Sequence, residues 1–211
     1  MSQPIDTPKT DRRILRSRRA LNDAILDLLL EKPYEAITIQ DITDRADLNR
    51  ATFYLHYGSK EELVVTALEE QFDQLQSGVP NLAGNDLPAV WRSEYLAIFH
   101  YVADHADLYK ALLGEQGTAY LAYRILEYIA QDCEMGHLDL LGKAASKTAV
   151  PLTLISWHIA GSLFALLVWW LQNDLPCPPE EMVGYAEQLN VNGVLAAFSL
   201  PPQSGLPAAH G

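Results

Sequence analysis

Between Asn49 and His56 the chain reads NRATFYLH, placing an amide, a guanidinium, a hydroxyl, a phenol and an imidazole within eight residues. If this stretch is helical, Asn49, Thr52 and His56 follow one i, i+3, i+7 stripe, flanked by Arg50 and Tyr54. Phe53 and Tyr57, four apart, share a different face and can enter a core. Such a set of side chains is suited to pairing with base edges and gripping phosphates. Catalytic alternatives find little support, since the chain holds no P-loop, Rossmann glycine pattern, nucleophile elbow or H-E-x-x-H.

The elements that must position these residues are legible around them. A first helix is expected from Thr10 or Asp11 to Glu31, where Lys32-Pro33 ends it. Its apolar Leu21, Ala24, Ile25, Leu28 and Leu29 repeat at three- and four-residue steps, giving one buried stripe. A short second helix is expected from Ile39 to Ala46, with Thr38 and Asp41 at N-cap and N3 spacing. Asp47-Leu48 supplies a tight turn, and Asn49 can cap a third helix through Tyr57. After Gly58, Ser59 and Glu62 have capping-box spacing for a fourth helix through Leu75. Ile39, Ile42, Leu48, Phe53 and Tyr57 can then pack on Leu21, Ile25 and Leu28. Two short helices joined by a turn and braced by a third form the helix-turn-helix layout.

The segment TIQDITDRADLNRATFYLHYGSKEEL, residues 38–63, resembles the DNA-binding domain of the TetR family of repressors. The likeness rests on T-x-x-D-I, the A-x-L turn, R-A-T-F-Y-x-H-Y and G-S-K-E-E-L, within about 50 residues starting at Arg12. It implies that Asn49, Arg50 and Thr52 face bases, with Arg50 the candidate for guanine. It implies phosphate contacts for Thr38, Tyr54, His56 and Lys60, the last at the start of the fourth helix. Arg12, Arg16 and the other arginines of the run Arg12–Arg19 would touch backbone or minor groove. Two positions depart from the pattern: Asp47 stands where Gly is common, and Asn49 where Ser or Thr is frequent. Plainer readings stand beside these. Thr38 and Ser59 are caps whatever the function, Tyr54 could be half in the core, and His56 and the arginines could be a solvated face.

The net charge of −12 looks unfavourable for a polyanionic partner until it is divided along the chain. Residues 1–60 hold ten Lys and Arg against nine Asp and Glu, leaving five basic and eighteen acidic residues beyond them. One end can therefore present a cationic face on an otherwise anionic molecule. Two cysteines without metal-site spacing, and no N-terminal signal peptide, point to a reducing, cytoplasmic location. No metal and no cofactor is expected. Cys133 and His137 stand in an i, i+4 relation, which is more often structural than a site.

An all-α fold of about nine helices follows, without alternating strand patterns. The expected divisions are a flexible arm at 1–10, the helix-turn-helix domain at 11–57 and a connecting fourth helix at 58–76. A linker at 77–88 (SGVPNLAGNDLP), an effector-binding and dimerisation domain at 89–199 and a flexible tail at 200–211 complete the chain. Within the large domain, helices are expected over 89–105, 106–113, 118–132, 151–173 and 179–190, the last open to extension to Phe198; residues 136–149 are ambiguous.

Residues 148–173 hold no charged side chain and are long enough to span a bilayer. Thr153, Ser156, His158 and Ser162 interrupt the run, so a helix buried in its own domain and against a partner subunit is favoured over a membrane span. The stretch from Ala160 to Leu171 and the following PPEEM resemble the last two helices of TetR-like regulators. That resemblance implies a dimer interface including Ala160, Gly161, Phe164, Trp169, Met182 and Leu189, with Trp169 and Trp170 open to either core or interface. Tyr95, Phe99, Tyr109, Tyr120, Tyr123, Trp157, His158 and Phe164 are the candidate lining of a pocket for an unidentified apolar or aromatic effector. The expected partners are double-stranded DNA, a second copy of the chain and that effector. An activator or ligand-independent DNA binder, and a helical enzyme or scavenging protein, are the alternatives.

Overall fold

The computed structural model describes residues 8–77, 87–114, 118–141 and 150–197. These form helices α1 (Pro8–Glu31), α2 (Ile39–Arg45), α3 (Arg50–His56), α4 (Lys60–Ser77), α5 (Leu87–Asp104), α6 (Ala106–Leu113), α7 (Ala119–Leu141), α8 (Leu152–Gln172) and α9 (Pro179–Ala197). Among the described residues there is no strand. The all-α expectation holds, with shifts at several boundaries. A single 3-10 turn, Tyr34–Ala36, follows Pro33 and was not foreseen. The helix α7 runs past its expected end at Asp132 and on through residues 136–141, where the sequence left the state ambiguous. Residues 1–7 of the expected arm, the expected tail and linker residues 78–86 lie outside the described residues, while Pro8–Thr10 of the arm belong to α1 and Leu87 and Pro88 of the linker to α5.

The head is built by α1 to α3 and the start of α4. Leu21, Ala24, Ile25 and Leu28 of α1 are buried against Ile42, Phe53, Tyr57 and Leu63, so the foreseen stripe is the one that packs. In the remainder, α7 packs along α8, α5 along α9, and α6 touches both α1 and α8. Between these parts lies α4, in contact with α1, α5 and α7.

Composition alone left α8 open to two readings. Among the described residues it is the helix long and apolar enough to cross a membrane. Here it buries Ile155, Ile159, Leu163, Leu167, Trp170 and Leu171 between α7 and α9, and 33 % of its most apolar stretch is buried. The two tryptophans separate cleanly. Trp170 is buried and its Nε1–H donates to Cys177 O at 2.9 Å, whereas Trp169 is half exposed.

Candidate DNA interface

Each turn of the head is fixed by local chemistry. The Thr38 Oγ1 accepts the Asp41 N–H at 3.1 Å, and Asp41 Oδ2 takes the Thr38 N–H at 2.8 Å, closing a capping box with Asp in place of the longer Glu. The Thr38 hydroxyl also donates to Asp41, and Lys32 Nζ lies 2.9 Å from the same carboxylate. These bonds, Thr38 first, hold Asp41 far below the usual carboxylate range. At the end of α2, Asp47 takes the left-handed conformation, φ 53°, which a short polar residue tolerates. The turn closes with Leu48 N–H on Thr43 O at 2.9 Å.

Asn49 caps α3: its Oδ1 accepts the Thr52 N–H at 2.8 Å and the Thr52 hydroxyl at 3.1 Å. Its amide N–H groups stay at the exposed surface. Phe53 is fully buried and Tyr57 nearly so, and this pair sets the rotation of α3. The Tyr57 hydroxyl donates to Asn22 Oδ1 at 2.8 Å, Asn22 donates to Glu70 at 2.6 Å, and Arg18 pairs with Glu70 at 2.8 Å. A buried polar chain therefore joins α1, the end of α3 and α4. After Gly58, Ser59 Oγ caps the Glu62 N–H at 3.1 Å. The Glu62 carboxylate reaches the N–H of Gly58 rather than that of Ser59, so the box closes one residue early.

The candidate contact residues divide by where their side chains go. Arg50, Tyr54, Arg12 and Arg16 are exposed. Arg12, Arg13, Arg16, Arg19 and Arg50 carry no ion pair among the described residues. Lys60 is placed differently from the outward-facing expectation. Its Nζ donates to Tyr34 O and Ile37 O, both at 2.8 Å, and lies 3.9 Å from the centre of the Tyr34 ring. Burial lowers its pKa, partly opposed by Glu35 and Glu61. His56 also turns inward, with Nε2 2.7 Å from Ser17 Oγ. The Ser17 hydroxyl also lies 3.0 Å from the carbonyls of Arg13 and Ile14, so it ties the His56 ring to the backbone of α1. Burial, and then the charge of Arg18, lower the His56 pKa.

The crest of α3 was missed. The face opposite Phe53 and Tyr57 carries Ala51 and Leu55, and Leu55 is 81 % exposed. Counting two residues on from Phe53 would have found it.

The aromatic residues expected to line one pocket are dispersed. Tyr95, Phe99 and Tyr109 are buried core residues, with Phe99 edge-on to Trp170 at 5.4 Å and Tyr109 beside Phe72 and Tyr101. Tyr120, Tyr123 and His158 are exposed, and Trp157 and Phe164 half-buried. Tyr123 packs on Trp157 at 6.2 Å, while Tyr120 lies near enough to Tyr34 of the head to bear on its titration. They do not form a single cage. A cleft of about 440 Å³ lies elsewhere, between Leu26 and Leu30 of α1, Gln71 of α4 and the α5–α6 corner at 103–108.

On the outer side of α8 and α9, Leu166, Trp169, Tyr185, Gln188 and Leu189 border an apolar groove of about 310 Å³. Leu189 is 70 % exposed, and Gly161 and Phe164 are half-buried. Ala160 corrects the interface expectation: it is fully buried within the protomer, because the rotation of α8 that buries Ile159 and Leu163 carries it inward too. Met182, though nearly buried, is part of the groove's lining. Among the described residues no cluster of three or more His, Cys, Asp or Glu could hold a metal. Burial pushes the Cys133 thiol up to about 12, which keeps it protonated and unreactive at neutral pH; the His137 side chain lies outside the described residues.

This arrangement defines a helical transcriptional regulator with an N-terminal helix-turn-helix. The model of bacterial regulatory proteins of the tetR family matches residues 21–67, and that of a transcriptional regulator C-terminal region matches 90–191. The chain belongs to the TetR family of transcriptional regulators. It is 53 % identical over 60 residues to the uncharacterised HTH-type transcriptional regulator YxbF of Bacillus subtilis, spanning 28 % of this chain and 16 % of that protein. To the HTH-type transcriptional activator FasR of Mycolicibacterium smegmatis it is 22 % identical over 163 residues, 76 % of this chain and 74 % of that one. The fold is shared with the regulator FadR of Bacillus subtilis in complex with stearoyl-CoA, at TM-score 0.61 and 16 % identity, covering 83 % and 98 % of the two chains.

Proposed function

We propose that the protein is a cytoplasmic repressor that binds a palindromic operator as a homodimer and is released by a small molecule. The observation that carries the reading is the exposed, capped helix α3, opened by Arg50, together with Arg12, Arg13, Arg16 and Arg19 of α1, all five without an ion pair among the described residues, on an otherwise acidic molecule. In this reading residues 11–57 read DNA, 58–76 connect, and 89–199 bind the effector and dimerise. Arg50 and the Asn49 amide meet base edges beside Thr52, while Tyr54, Arg12 and Arg16 hold phosphates. Thr38, His56 and Lys60 have their side chains committed within the head, so their contribution is to its shape. The exposed Trp169, Tyr185 and Leu189 support pairing of α8 and α9 with their symmetry mates. Two heads so joined would enter successive major grooves about 34–36 Å apart. An apolar effector completes the reading, with a coupling to DNA affinity that is typically about 1–3 kcal/mol.

The test is salt-titrated binding of the purified protein to a randomised duplex library. A palindrome bound by two chains, with affinity falling steeply as salt rises, is the expected result. Arg50→Ala should cost about 1–3 kcal/mol and relax preference at one base pair. Weak binding independent of sequence would overturn the reading. A reporter carrying the recovered palindrome at its promoter distinguishes repression from activation, the sign named for FasR.

A further inference from the structure

We infer that the recognition helix reads thymine methyl groups through Ala51 and Leu55; this rests on the DNA-reading role proposed above. The rotation of α3 is fixed by Phe53 and Tyr57, 0 % and 3 % exposed. At 3.6 residues per turn, Leu55 lies two positions from each and so points directly away from the core. Ala51, one turn earlier on the same line, is exposed as well. The polar side chains Thr52 and Tyr54 stand on the two flanks of this crest, and the exposed Arg50 opens the helix. The line of the helix that reaches furthest out is therefore apolar. Leu55 is the most exposed large apolar side chain among the described residues, and its neighbourhood is that of a polyanion site, with Arg50 on the same helix.

The major-groove base edges carry hydrogen-bond donors and acceptors, and the one alkyl group among them is the C5-methyl of thymine. A leucine seated over guanine N7 and O6, or over the adenine amino group, would remove those atoms from water without a partner, a penalty rather than a contact. Over thymine it buries methyl against methyl. The crest thus selects thymine twice, by attraction to it and by exclusion of the other bases, and Arg50 reads a neighbouring pair.

The experiment uses the full-length protein and the tightest duplex recovered from a randomised library, with each thymine replaced in turn by deoxyuridine. This removes the methyl and leaves the pairing edge intact. Binding should weaken about fourfold for one or two thymines in each half-site, and about fifteenfold when both half-sites are changed, from the worth of one buried methyl. Leu55→Ala should abolish the sensitivity at one of those positions while leaving the melting temperature unchanged, because Leu55 supports nothing in the core. Deoxyuridine tolerated at every position, or a sensitivity that survives in both Leu55→Ala and Ala51→Gly, would overturn the inference while the DNA-reading role stands. Failure to enrich any duplex would instead overturn the DNA-reading role, and the inference with it.

Discussion

Replacing Lys60 by methionine separates two roles that predict opposite results. Methionine keeps the length and packing of the stem but removes the ammonium. Two carbonyls, Tyr34 O and Ile37 O, then lose donors at 2.8 Å, and the Tyr34 ring loses a cation at 3.9 Å. Hydrogen bonds to a charged donor are worth about 1.5–3 kcal/mol each and an exposed cation–π contact about 0.5–1 kcal/mol. Against this stands the desolvation of a partly buried ammonium, which its lowered pKa records. A net loss of about 2 kcal/mol is expected, read as a lower urea midpoint at unchanged m-value. The salt dependence of DNA binding should stay the same, because an ammonium held by carbonyls displaces no counterion from DNA. Had Lys60 gripped a phosphate in both subunits, the slope of log K against log salt would fall by about 1.8 units. A flatter salt slope with an unaltered midpoint would refute the structural role.

Two further changes probe the interior. Tyr57→Phe leaves the Oδ1 of buried Asn22 without its donor at 2.8 Å and should cost about 1–3 kcal/mol in urea unfolding, with an unchanged midpoint counting against the polar chain. Burial, and then the nearby Asp132, push the Glu94 carboxyl up to about 7 from 4.5. Because the folded value lies above the unfolded one, this contribution to stability is intact below about pH 4.5 and is lost as pH rises through about 7, for a total of roughly 2–3 kcal/mol. Glu94→Gln should remove that slope; a pH–stability profile parallel to that of the parent would refute it.

What could be read from sequence follows how far each interaction reaches along the chain. The Thr38–Asp41 and Asn49–Thr52 caps and the left-handed Asp47 lie within four residues of their partners, and all three were legible as local chemistry. The inward partners of Lys60 and His56 were not legible, because they lie 23 and 39 residues away. The carbonyls that hold Lys60 flank a 3-10 turn that no periodicity announces. Leu55 failed for another reason: the stripe was drawn through polar residues, although Phe53 and Tyr57 already fixed which face looked outward. In α8 the apolar composition extends all round, so nothing in the pattern distinguished the buried Trp170 from the exposed Trp169 beside it. Aromatic spacing likewise identified core positions such as Phe99, not a pocket.

The course of α4 explains how such a molecule can carry a signal. Of four consecutive residues, the first faces the head and the next three the larger domain. Glu70 takes Arg18 and Asn22 of α1, while Gln71 accepts the Tyr101 hydroxyl at 2.8 Å and Asp73 that of Tyr128 at 2.6 Å. Between them Phe72 is buried against Tyr101, Tyr109 and Tyr128. Since Leu63, Val64 and Leu68 of the same helix are buried in the core it shares with α1, α4 cannot slide or tilt against one half while staying bonded to the other. A change of packing around Phe72 must either break the Gln71 and Asp73 bonds or carry Glu70, and with it Asn22 and Tyr57, along. Close-packed side chains have few intermediate arrangements, so the alternatives are discrete. Tyr57 closes the recognition helix, and the polar chain that anchors it to α1 also anchors α4. In the ligand-released repressor proposed above, the bonds that hold the reading head still would be those through which the larger domain displaces it.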